Sequence, residues 1–194
     1  MKKCFFSILP ALLIVFVPVT ASAHIVASND LTSGFTHPLF GIDHLLAMVA
    51  VGVLSMLLGI ARVWQLPAIF VGFMILGGIT GINALPIIGV EQSIALSVIF
   101  FGLLIARSQH MPYVLALCTT ALFGFMHGYA HGAEMPIVAQ PVFFSFGFVL
   151  STLLLHISGV LIGKMSLRSQ ITHTILRLGG GGMTIAGMLF LFAL

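Results

Sequence analysis

His37-Pro38-Leu39-Phe40-Gly41-Ile42-Asp43-His44 opens an apolar run that ends near Gly59. Two imidazoles and a carboxylate therefore stand where the chain is about to enter a hydrophobic phase. At about 1.5 Å rise per residue, roughly 20 such residues cross a bilayer, so the run reads as a membrane helix. Ionisable groups in that setting are costly to bury and mark functional sites. A second polar cluster, His127-Gly128-Tyr129-Ala130-His131-Gly132-Ala133-Glu134, closes a later apolar run.

The rest of the chain has the same character. Of its 194 residues 60% are hydrophobic and 6% charged, with a mean hydropathy of +1.23. Water-soluble domains carry about a quarter charged residues, so a soluble bundle with solvated faces is excluded. The fold class is an all-α polytopic membrane protein. The sequence pI near 9.2 does not imply nucleic acid as a partner. Beyond the N-terminus, Arg62, Arg107, Lys164, Arg168 and Arg177 are scattered one or two per loop and form no phosphate-binding patch. Cys4 and Cys118 make no disulfide framework.

Residues 1–23 read as a secretory signal peptide: Lys2 and Lys3, an apolar stretch from Phe5 to Val17, then the small-residue site Ala21-Ser22-Ala23. Cleavage leaves His24 as the new N-terminus, whose amine and imidazole can close a chelate ring on one metal. Residues 24–194 form a single transmembrane domain with six spans, at about 38–59, 67–85, 91–106, 112–130, 137–162 and 172–194. With the mature N-terminus outside, the loops at 60–66, 107–111 and 163–171 are cytoplasmic. They hold Arg62, Arg107, Lys164 and Arg168, with Arg177 in the adjoining turn, as the positive-inside rule requires. Asp30, Glu91 and Glu134 fall at the outer edge. The simplest location is a bacterial inner membrane with both mature termini periplasmic. The glycine clusters Gly77-Gly78 with Gly81, and Gly179 to Gly182, are expected to allow close helix packing.

Both polar clusters fall on the outer side. His127 and His131 are four apart, hence on one helical face, and such a pair can chelate one ion. Glu134 is three residues further, with Gly128 and Gly132 giving the helix room to loosen. In the first span Asp43 and His44 sit about one turn inside the boundary, and Met48 shares the face of His44. His37 is too far back to reach His44 on a straight helix, so Pro38 and Gly41 are expected to let it bend over the mouth. One histidine in a membrane helix bridges helices as readily as it binds metal. Four in two same-side clusters, with Asp43 and Glu134, point to a metal site made of His37, Asp43, His44, His127, His131 and Glu134. His24, Met48 and His156 are additional candidates, Met48 being as well explained by packing. His156, deep in the fifth span, is a candidate relay. Asn83 and Glu91 are candidates for an outer vestibule, while His110 and His173 are expected to be solvated. Imidazole and carboxylate without thiolate suit nickel, zinc, cobalt or copper(II), and do not choose among them.

At these residues the chain resembles the hydrogenase/urease accessory proteins of the HupE/UreJ family, which are regarded as nickel permeases. The resemblance rests on the N-terminal histidine after the leader, the HPxxGxDH opening of the first span and HGxAHGxE at the end of the fourth. It covers essentially the whole mature chain. It implies nickel uptake serving nickel–iron hydrogenase or urease, and carries a metal role onto His37, Asp43, His44, His127, His131 and Glu134. Nickel over cobalt is what the resemblance adds.

The expected function is thus a permease for a divalent transition metal, with the ion as cargo and no prosthetic group. Cobalt or zinc are alternative cargoes. The competing class is a membrane-embedded zinc hydrolase, in which the same groups would activate a water. The expected partners are the metal ion and the lipid bilayer, with a cytoplasmic nickel chaperone as a candidate recipient and the oligomeric state open. No P-loop is present, so this chain does not itself couple transport to ATP.

Overall fold

The computed structural model describes residues 30–83, 86–108, 112–133, 135 and 140–194. The expected signal peptide, His24, His110 and Glu134 lie outside the described residues. Among those described, all regular structure is helical. The helices are α1 (Asp30–Phe40), α2 (Ile42–Leu57), α3 (Gln65–Ile82), α4 (Val90–Arg107), α5 (Tyr113–Ala133), α6 (Pro141–Ser166) and α7 (Gln170–Ala193).

Helices α3 to α7 are each long and apolar enough to cross a membrane. The first expected span is different. It is a pair, α1 and α2, bent by 82° at Gly41, and it makes a further span only if the pair is taken together. Gly41 has extended backbone (φ −82°, ψ 105°), and its carbonyl accepts the Leu45 amide to begin α2. Its lack of a Cβ is needed, because one would stand 2.9 Å from His44 Nδ1 and 3.2 Å from Asp43 Oδ1. The segment before Gly41 is not a loose lead-in but an 11-residue helix. Asp30 anchors its start by accepting the Gln140 amide at 2.9 Å, which ties α1 to the beginning of α6.

In lipid, apolar side chains gain little by leaving their surroundings, so helices associate through close backbone packing. Glycine supplies it here. On α3 and α5, Gly77 and Gly81 abut the backbone at Phe125 and Tyr129, while Gly128 and Gly132 abut Met74 and Gly78. Matching residues ascend together, so these two helices run parallel. On α2 and α6, Gly52 abuts the His156 carbonyl and Gly159 that of Val49, again in parallel. Helices α4 and α7 pair antiparallel, with Gly102 near Thr184 and Gly187 near Ile99. Of the second glycine cluster only Gly180 packs in this way. A Cβ on Gly179, Gly181 or Gly182 would meet open space, so the expectation of close packing fails for those three.

These directions sort the helix ends. The C-termini of α2, α4 and α6 and the N-termini of α3, α5 and α7 share one end, with Arg62, Arg107, Lys164 and Arg168. Arg177 joins them, donating from Nε to the Ala106 carbonyl at 2.8 Å. The opposite end carries α1, the start of α2 and the end of α5, and with them both histidine motifs. Large apolar side chains such as Val142, Phe146, Leu161 and Phe192 cover the outside. That outside suits a hydrocarbon phase.

Candidate metal centre

The break at Gly41 folds α1 back across the end of the bundle, and this brings His37 to α5. The His37 ring stands 4.9 Å from that of His131, edge to face at 87°. His44, in the first turn of α2, has its ring 4.3 Å from His131 and 5.1 Å from His127. Four imidazoles from three helices thus form one contiguous cluster. Phe148 of α6 closes one side, its ring 4.3 Å from His131. Phe70 of α3 lies below, 5.4 Å from His127.

Helix α5 holds its two histidines one turn apart because it runs unbroken to Ala133, three residues past the expected end of the span. Gly128 and Gly132 do not loosen it. They press it against α3, with His127 and His131 on the neighbouring face.

Two ring tautomers follow from hydrogen bonds. His44 Nδ1 lies 2.8 Å from Asp43 Oδ1, and a carboxylate can only accept, so Nδ1 carries the proton. The same oxygen accepts the His44 amide at 2.9 Å. His127 Nδ1 donates to the Phe123 carbonyl, one turn back, at 2.8 Å. In a neutral ring the other nitrogen, Nε2, then bears the lone pair, the state a metal ligand needs. Both of these Nε2 atoms are buried and without a hydrogen-bond partner, as are both nitrogens of His131. A buried polar group left unmade costs about 1–3 kcal/mol. Packing gives no reason to keep so many.

Exposure falls in steps along the cluster. His37 is exposed at the mouth, the His44 side chain is 13% exposed, His131 5% and His127 0%. The ring cluster is not yet a coordination sphere. Among the described residues, no three His, Cys, Asp or Glu side chains are set to hold a metal ion as they stand. The rings meet by faces and edges, so seating an ion requires them to turn.

Asp43 reaches the cluster through His44, orienting its ring, a use of carboxylate that raises ligand basicity. Met48 is fully buried in the apolar core of the bundle. His156 is buried in α6, apart from the mouth. Asn83 donates to the Ile79 carbonyl and ends α3, and Glu91 is exposed in the first turn of α4. His173 lines a cavity of about 230 Å³ at the arginine end. Phe70 and Phe148, which wall the cluster, carry no signal in sequence, since phenylalanine is common throughout this chain.

The profile of the HupE/UreJ protein family matches residues 12–190. The chain belongs to the HupE/UreJ family. The protein HupE of Rhizobium leguminosarum bv. viciae is 38% identical to it over 173 residues, covering 88% of this chain and 90% of that one. No solved structure matches the chain. Within this HupE/UreJ chain, the two motifs that carry the resemblance are the two segments whose imidazoles meet at the mouth, with Glu134 outside the described residues.

Proposed function

We propose that this protein is a six-span inner-membrane permease for a divalent transition metal, nickel first, supplying a nickel–iron hydrogenase or urease. The observation that carries the reading is the meeting of His37, His44, His127 and His131 at one end of an apolar bundle. Two of them have Nδ1 committed and Nε2 lone pairs left over. Neutral imidazoles with a carboxylate behind one of them suit borderline divalent ions. The preference for nickel rests on the family.

In this reading the leader is removed after Ala23 and the histidine end faces the periplasm, because the basic residues gather at the opposite end. A hydrated ion meets exposed His37 first. It exchanges part of its water shell for the deeper imidazoles, while Glu134 and His24 are further donors for the mouth. Asp43 keeps the His44 ring in the ligating tautomer. The ion is cargo, and it leaves toward the arginine end for a cytoplasmic recipient.

The test is uptake of labelled nickel and cobalt at low metal concentration, in cells lacking their own importers. Wild type is compared with His44→Ala and His131→Ala at matched membrane abundance. Both substitutions abolish uptake if the two motifs form one site, and the ion transported faster names the cargo. Wild-type uptake no greater than the empty-vector control refutes the permease reading.

A further inference from the structure

Below the mouth, α6 carries a second set of polar atoms that the site just described does not use. His156 is fully buried, and neither ring nitrogen has a hydrogen-bond partner among the described residues. Thr152, one turn nearer the histidine end on the same face, is also fully buried. Its hydroxyl donates to the Met74 thioether of α3 at 3.9 Å. The adjacent Ser151 hydroxyl is buried and unpartnered. These groups are held in depth by backbone contact, since Gly52 of α2 abuts the carbonyl of His156 itself.

Phe70 stands between His156 and the mouth histidine His127. Its ring is 5.4 Å from that of His127 and 5.3 Å from that of His156, meeting the latter edge to face at 88°. The two histidines flank a single phenyl ring. Among α3, α5 and α6 lies a cavity of about 100 Å³ whose wall includes both His131 and Met74. One void therefore touches both a mouth histidine and the methionine that Thr152 meets.

We propose that His156 is an inner transit station for the divalent metal, separated from the mouth by Phe70, with the Met74 thioether and the Thr152 hydroxyl as the weak donors that lead from the mouth to it. The proposal rests on the permease reading above. The donor set is chemically apt. Imidazole and thioether favour borderline and soft ions over magnesium or calcium, which take oxygen. It is also deliberately poor. The described acidic residues, Asp30, Asp43 and Glu91, all sit toward the histidine end, so none of these three carboxylates compensates the ion's charge beside His156. Conduction needs sites favourable enough to enter and weak enough to leave, and a single imidazole with two weak donors meets that condition better than a four-histidine cluster. Beyond it, Thr120 lies on the same face of α5 as His127 and lines the 230 Å³ cavity at the arginine end, which gives the ion a place to emerge.

The experiment uses the full chain, with nickel uptake in vesicles and nickel affinity at the mouth measured by competition with a chelating indicator. His156→Leu and His156→Gln are expected to lower uptake by about tenfold or more while nickel affinity at the mouth stays within about twofold, which also shows the variants are folded. A spectroscopic arm separates ligation from packing. In a Cys118→Ala background, His156→Cys places a thiolate at the station, and added cobalt should give a thiolate-to-cobalt charge-transfer band. Wild-type uptake by His156→Leu overturns the proposal. So does absence of the band at saturating cobalt, which would assign His156 to packing. If wild type itself moves no metal, the permease reading fails and the station falls with it. Uptake that depends on His44 but not on His156 removes the station alone.

Discussion

Asp43 offers the sharpest test of the mouth, because one of its oxygens does two things. Oδ1 accepts the His44 amide at 2.9 Å and His44 Nδ1–H at 2.8 Å. Asp43→Asn keeps an oxygen in that place and so preserves both bonds and the ring tautomer, while removing the charge. A charge-assisted bond is about twice as strong as a neutral one, whose net worth is about 1 kcal/mol. The loss is then about 1–1.5 kcal/mol, or about tenfold in metal affinity. Asp43→Ala also frees the ring to turn and to protonate at either nitrogen. Loss of a carboxylate that orients a ligating histidine costs up to about 100-fold, so alanine should fall near that limit. The assay is nickel and cobalt affinity of the purified full chain in lipid nanodiscs, by calorimetry or indicator competition. Affinities of both variants within about twofold of wild type would refute the orienting role. A loss beyond about a thousandfold for alanine would refute it in the other direction, by putting the carboxylate on the ion.

Gly128→Ala should destabilise the bundle by about 1–3 kcal/mol and lower uptake, since its new Cβ would meet the Met74 backbone, carbonyl included. Gly182→Ala, where the added methyl meets open space, should leave both unchanged, and equal thermal unfolding of the two variants in detergent would count against the packing described. Acidification should weaken metal binding, because a ligating imidazole must be neutral and a proton competes for the same lone pair. Affinity should fall as the pH is lowered into the range where these imidazoles protonate, and no fall down to the pH at which the protein unfolds would mean that imidazoles are not the ligands.

The sequence made the spans and the meeting of the two motifs legible, because both depend on patterns that survive without coordinates. Apolar runs mark α3 to α7, and counting ends of alternating helices places His44 and His131 on the same side. Pro38 and Gly41 even indicated that the chain would turn between His37 and His44. The size of that turn was not legible. Asp30 to Thr36 has too little apolar periodicity to announce a helix, and α1 is held by the Asp30 contact with Gln140 and by Gly34 and Gly147 packing, all long-range. Gly128 and Gly132 were misleading for a similar reason: glycine reads as flexibility until the neighbouring backbone of α3 is known to fill the space. Phe70 and Phe148 could not be singled out, since their distinction is position beside a histidine ring and nothing in their own segment.

On the permease reading proposed above the ion at the mouth is cargo, whereas the competing hydrolase reading would make it resident. A site that keeps its metal, such as a catalytic zinc with three protein ligands and an open position, needs those ligands aimed at one point. Here the preparation is partial. His44 and His127 each have one nitrogen committed, so their ligating lone pairs are settled, yet among the described residues no three side chains converge as they stand. His131, between them, makes ring contacts with His37, His44 and Phe148, and among the described residues neither of its nitrogens has a hydrogen-bond partner. Turning the rings onto an ion costs free energy that subtracts from its binding, and that deficit shortens the time it stays. Against this, the unmade hydrogen bonds make the empty cluster costly, which favours capture. On the proposed permease reading, favourable capture followed by weak retention is what passage requires, whereas a hydrolase would keep its ion. Exchange of bound nickel for labelled nickel on the purified chain decides between them. Release on the timescale of uptake supports passage, and an ion that stays through prolonged dialysis against a chelator would return the hydrolase to first place.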